Sequence, residues 1–413
     1  MKAALKSDFA WPREAPTLLV YAAIAAISVI PLHAAWLIVF VALIVGGVMI
    51  LAVDHGIRDL FRTAPDLRAS LLLMAFVFAW QVIGLFARGG AASGEGWQAA
   101  GNVAAIAMFA VVVVAAMRRD PALARNLLPV AGVIVAAGSL AAILGQAVLN
   151  WADFTRLVLY GRANSSVIAA GVLVFGTAAS VFALLDGENA RKPLLWAALA
   201  LNGLALGLTF SRGPIVAAVM AAVVLFVTTR VPPGRNRGIV AGVATLVAVA
   251  LPLILVLNET RLNGVACSVS AEICRGSHRL EIWLQAIDGI RAHPWFGLGP
   301  TAEIDNPFGR HPHSGYLGPA FFHGIPVAIA FLALIVIAFR AVLRGQMGAK
   351  AGSRIAEFTF FMLAFTMVYM MTDLREAFSF LNAHYLFLWL PAFLAIESNA
   401  RGVMPPRASR SQH

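Results

Sequence analysis

The sequence predicts an all-α integral membrane protein with about twelve transmembrane helices and one large external loop carrying short helices. Three observations predict it. Of 413 residues, 60% are hydrophobic and only 12% are charged, against about 25% charge in an ordinary soluble domain. Twelve apolar runs approach the roughly 20 residues a helix needs to cross about 30 Å of hydrocarbon. The formal charge of +11 is concentrated in alternate loops. Such a composition excludes disordered, collagen-like and small disulfide-stapled chains and argues against a water-soluble enzyme. It also removes nucleic acid as the reason for the basic excess, which the membrane explains instead.

In chain order the runs occupy approximately 16–31, 34–53, 70–87, 101–117, 127–149, 164–185, 194–209, 213–229, 238–257, 320–339, 355–372 and 382–397. All are read as helices, because hydrocarbon leaves an open segment no other way to satisfy its backbone. The first run lacks a small-residue cleavage site and is read as a retained span. Gly203 and Gly207 would allow close helix packing.

Loop charge supports this order. Taking the N-terminal segment and alternate loops, 21 of the 31 basic residues and ten acids lie on one side, leaving the whole +11 there. The positive-inside rule makes that side cytoplasmic, with both termini on it. The chain then divides into helices 1–9 with short loops (1–257), a large external loop (258–319), helices 10–12 (320–398) and a cytoplasmic tail (399–413). The large loop holds both cysteines, Cys267 and Cys274. In an external loop they read as a disulfide, with two free thiols as the alternative. Their spacing does not fit a zinc knuckle. Ser277 could cap a loop helix over 278–292, with Leu280, Trp283, Leu284, Ile287 and Ile290 on one face. Such a helix would lie on the membrane surface or pack against the bundle.

Ten arginines and no lysine fall on the external side. A planar guanidinium fork suits bidentate phosphate binding, although each could simply pair with one of ten external acids. Arg212 stands in a tight turn between two spans. An unpaired arginine at mid-bilayer costs at least about 2.5–3.5 kcal/mol, so the mouth of a cavity is its natural place. Arg162 begins another span, followed by Asn164, Ser165 and Ser166, which could donate hydrogen bonds or cap the helix. Arg88, Arg279 and Arg310 complete the candidate set. The run Arg310-His311-Pro312-His313-Ser314-Gly315-Tyr316 offers histidines suited to proton transfer near neutral pH. Metal binding has little support there, because the two histidines are only two positions apart.

His313-Ser314, nine residues and then Gly324 resemble the His-(Asn/Ser/Gln)-x9-Gly pattern of O-antigen ligases. Arg279 and Trp283, followed by His293-Pro294-Trp295-Phe296-Gly297-Leu298-Gly299, resemble a run shared by these ligases and O-antigen polymerases. Ser211-Arg212-Gly213 and Gly161-Arg162-Ala163-Asn164 are similar to two further turns of the family. One position departs: Val327 stands where the ligase pattern continues with Gly, Thr or Tyr, which weakens ligase against polymerase.

The resemblance implies a glycosyltransferase acting at the periplasmic face of the bacterial inner membrane, with the large loop periplasmic. The donor would be a polysaccharide on undecaprenyl diphosphate and the acceptor lipid A–core, with membrane lipids around and no nucleotide sugar, metal or other cofactor. His313 would take the acceptor proton, with Tyr316 or His311 orienting it. Arg88, Arg162, Arg212 and Arg279 would hold the diphosphate, and Arg310 could replace one of them. The sequence shows neither a Walker-type loop nor an Asp-x-Asp site. A polymerase and a protein-targeted oligosaccharyltransferase share these features. A transporter fits less well, because no internal repeat is evident and the polar candidates gather at one face rather than at mid-membrane.

Overall fold

The computed structural model describes residues 13–88, 94–150, 152, 154–186, 192–258, 278–307, 309–347, 354–371, 377–379 and 381–403. Cys267, Cys274 and Ser277 lie outside them. The described residues form helices and connecting turns, without strands. The chain runs through α1 (Ala15–Ser28), α2 (His33–Val53), α3 (His55–Thr63), α4 (Pro65–Ala87), α5 (Gly94–Arg119) and α6 (Pro121–Ala142). A π-helical turn, Ile143–Val148, continues α6. Next come α7 (Ser166–Leu185), α8 (Lys192–Leu208), α9 (Arg212–Thr229) and α10 (Arg235–Leu257). The loop region contributes α11 (Arg279–Ala292) and α12 (Gly318–His323), and the chain ends with α13 (Ile325–Met347), α14 (Arg354–Tyr369), a π-helical turn (Tyr385–Trp389) and α15 (Leu390–Val403).

Among the described residues, eight helices are long and apolar enough to cross a membrane, while Ala15–Ser28 and Lys192–Leu208 are apolar but shorter. The twelve expected runs each coincide with helix, but the tenth begins later than expected. Residues 318–323 form a separate helix, because Gly324 takes φ +93° and ends it before α13 starts. An additional short helix, α3, follows α2 directly. The Asp54 side chain accepts from the Ile57 amide at 3.0 Å to cap it, and Ile57, Leu60 and Phe61 turn into the core.

The last helices in sequence lie innermost in the bundle. In α14 most residues from Phe358 to Tyr369 are buried, and all of Tyr385–Trp389 are. By contrast α2 buries only Leu43, Gly46, Gly47 and Ile50, so its leucines and valines are left to face lipid. Aromatic rings fill the centre: Trp389 stacks on Phe393 at 5.9 Å and Phe331 meets Phe378 edge-on at 5.5 Å, geometries that add to simple burial.

Contacts between distant loops distinguish the two ends. Arg119 pairs with Asp54 at 2.6 Å, Arg118 with the fully buried Glu397 at 2.7 Å, and Arg344 with Asp66 at 3.4 Å. These join loops that the charge pattern assigns to one side. At the other end the Trp80 indole donates to the Trp295 carbonyl at 2.9 Å, and the Leu157 amide to the Leu208 carbonyl at 3.0 Å.

Loop helix α11 departs from expectation on its apolar face. The buried residues are Ile282, Trp283 and Ala286, while Leu284 is 55% exposed. Ile282 and Ala286 pack with Ile304, Phe321 and Phe322, and Trp283 packs with Val256 and Met371. The helix is wedged between the bundle and the rest of the loop, which selects a different stripe from the one spacing alone favours.

Candidate functional site

A backbone clasp shapes the loop beside the site. Gly297 (φ +63°) and Gly324 (φ +93°) lie against each other's strand of chain. A Cβ on Gly324 would overlap the Trp295 carbonyl, and one on Gly297 would meet the Phe322–Gly324 backbone. The close approach is secured by amides of Leu298, Gly299 and Ile325 donating to carbonyls of Phe321, Phe322 and Pro294 at 2.8–3.0 Å. Two motifs about 25 residues apart in the chain thus form one structural unit. The Arg88 guanidinium donates to the Phe296 carbonyl at 2.6 Å, and Trp80 stacks on Phe296 at 5.3 Å. Burial lowers the Arg88 pKa.

Beyond this clasp lies a cavity of about 630 Å³, within the range of about 300–1,000 Å³ usual for ligand sites. Arg162, Asn164 and Ser165 line it from the α7 approach, Gln98 and Asn102 from α5, Thr301, His311 and His313 from the large loop, and Asn382 and His384 from the final segment. It sits opposite the paired basic loops. Asn102 lies in the first half of α5 and Arg119 at its C-terminal end, about 25 Å apart at the helical rise per residue.

Arg162 is half-buried. Its Nε donates to the Leu381 carbonyl at 3.1 Å, and its guanidinium lies 5.0 Å from the Trp36 ring centroid. Burial lowers its pKa, so an anion in the cavity would favour the charged form. Ser165 occupies the N-cap position of α7 without a side-chain capping bond, so this serine belongs to the cavity wall rather than to a cap. The His311 and His313 rings meet edge-on with centroids 4.0 Å apart. His313 is held at φ +47°, a left-handed conformation that is uncommon outside glycine. His384 is buried, with its amide donating to the Asn382 side chain at 2.9 Å, and Asn382 in turn bonds Ser379.

The structure brings together Arg162, His311 and His313 of the expected residues, and the others stand elsewhere. Arg88 supports the clasp. Arg212 is the exposed first residue of α9, after a turn with Phe210 at φ +49°, and is not in the cavity wall. Arg279 begins α11 outside that wall. Exposed Arg310 pairs with Glu303 at 3.5 Å. The Tyr316 hydroxyl donates to the Met367 carbonyl at 2.9 Å, and burial raises its pKa. It belongs to packing between loop and bundle, whereas His311 is the ring that meets His313. Gln98, Asn102, Asn382 and His384 carried no motif signal, being isolated polar residues in or beside apolar runs.

No curated protein matches the chain. Residues 197–332 match the O-antigen ligase family model, a stretch from within α8 to the first turns of α13 that contains Arg212, Arg279, His311, His313, Gly324 and the whole clasp but not Arg88 or Arg162. The motifs around Arg212, Arg279, His293–Gly299 and His313–Gly324 therefore fall within one continuous segment that is similar to the O-antigen ligase family, while Gly161–Asn164 lies before it.

Proposed function

We propose that this chain is a membrane O-antigen ligase, moving a polysaccharide from undecaprenyl diphosphate to lipid A–core at the periplasmic face of the inner membrane. The observation that carries the reading is the meeting of Arg162, His311 and His313 in one polar cavity, at the end opposite the basic loops. In this reading His313 accepts the proton of the acceptor hydroxyl as its oxygen attacks the anomeric carbon. The bond from that carbon to the diphosphate oxygen breaks, and the diphosphate leaves carrying the electron pair. Arg162 offsets the charge developing there, where fixed electrostatics act most strongly. Of the four arginines expected to hold the diphosphate, the proposal rests on Arg162 alone. Gln98, Asn102 and Asn382 supply amides for sugar hydroxyls.

The test is the purified full chain with an undecaprenyl-diphosphate-linked glycan and lipid A–core. The expected result is extension of lipid A–core. His313→Ala should lower the rate about 10²–10⁴-fold, as loss of positioned proton transfer does, while the variant still elutes as a single folded species. A wild-type rate in His313→Ala removes the base assignment. Val327, fully buried in α13, favours a second reading, a polymerase. Growth of the donor glycan with lipid A–core untouched would select it, and no transfer to either acceptor would overturn both.

A further inference from the structure

A second feature lies at the opposite end of the bundle, on the outward face of α13. There a groove of about 600 Å³ has a floor of Ile335, Phe339 and Met367 and a rim that includes Arg340 and Arg344. The same three floor residues border a narrow apolar slot that runs inward to Leu334, Leu388 and Trp389 between α13, α14 and the final helix. The surrounding face is lipid-facing, with Ile329 and Val336 each 62% exposed. The two arginines are four residues apart and so share one helix face. Arg344 pairs with Asp66 at 3.4 Å, whereas no carboxylate pairs with exposed Arg340 among the described residues.

An apolar groove in contact with lipid, crowned by two cations and one acid, has the complement of an anionic amphiphile. Basic pockets between helices at a membrane surface recognise lipid headgroups in this way. We propose that the groove holds one anionic glycerophospholipid of the leaflet at the basic end. Its phosphate lies on Arg340 and Arg344, and one acyl chain lies along Ile335 and Phe339 with its tail toward the slot. A lipid seated there joins α13 to the central helices at a place where side chains alone leave space. The proposal is independent of the glycosyl-transfer reading.

Native mass spectrometry of the purified full chain in mild detergent tests it, with phosphatidylglycerol or phosphatidylcholine of identical acyl chains added. The expected result is one phosphatidylglycerol retained at concentrations where phosphatidylcholine is lost. Arg340→Gln should lower that occupancy by roughly fivefold, the share of one basic residue near a membrane surface. Val336→Trp should lower it by filling the groove while leaving both arginines. Free glycerol phosphate should not compete. Equal retention of the two lipids, unchanged occupancy in Arg340→Gln, or displacement by an equal amount of undecaprenyl phosphate would each overturn the assignment.

Discussion

At Gly324 the chain turns through φ +93° directly against the Trp295 carbonyl. Neither demand can be met by a residue with a Cβ, and the neighbour is backbone that cannot swing aside. Gly324→Ala should therefore cost at least the roughly 1–3 kcal/mol of a strained backbone, and more from displacing the clasp. Thermal unfolding in detergent should move to lower temperature together with loss of activity, whereas His313→Ala should lose activity alone. A Gly324→Ala protein with wild-type unfolding would show that the clasp tolerates separation. The motif glycine was legible in sequence, but its partner was not, since only the fold brings residue 297 to residue 324. His313 and Arg162 were legible because short polar motifs stand out between apolar spans. Arg88 was expected among the arginines that hold a diphosphate, yet the oxygen it holds here is the Phe296 carbonyl. Composition cannot tell a carbonyl from a phosphate as the acceptor of an arginine.

Among the elements, α3 is the clearest case of a helix set by a single residue. Asp54 caps it through the Ile57 amide and also pairs with Arg119. Burial pushes the Asp54 pKa up, but the Ile57 and Gly56 amides and Arg119 outweigh this and hold the carboxyl below its ordinary value of 3.8. A carboxyl lowered on folding adds stability above its unfolded pKa, and that stability is lost as pH falls through the folded value. Asp54→Ala should cost about 0.5–2 kcal/mol as a lost cap, and Asp54→Asn less, with the difference from wild type shrinking below pH 4. Denaturant titrations at pH 7 and pH 3 check this, and an unchanged difference at the two values would sever the link to ionisation. Helix α3 was not anticipated, because nine residues after an apolar run read as loop until the cap and its three buried side chains are seen together. The π-helical turn at Tyr385–Trp389 was equally hidden. There the Phe387 carbonyl accepts from the Thr366 hydroxyl, a contact with a helix residue 21 positions earlier.

At the scale of the molecule, several of the loops that charge grouped together do meet, through Asp54, Asp66 and Glu397. Hydropathy marked the long apolar helices, missing α3 and the break between α12 and α13, but could not say which were peripheral. It ranks helices by how apolar they are, and the innermost ones here need be no more apolar than those bathed in lipid. Helix α14 and the segment after it are almost wholly buried and are synthesised after the helices that surround them. If the earlier helices insert first, α5 and α7, which are also largely buried, would lack part of their packing, with lipid standing in, until residues 354–403 join them. A chain stopped after residue 347 should be inserted yet cleared by membrane quality control, and co-expressing 348–413 as a separate piece should rescue its half-life in pulse–chase labelling. A truncated chain as long-lived as the full one would show that the periphery stands without its axis.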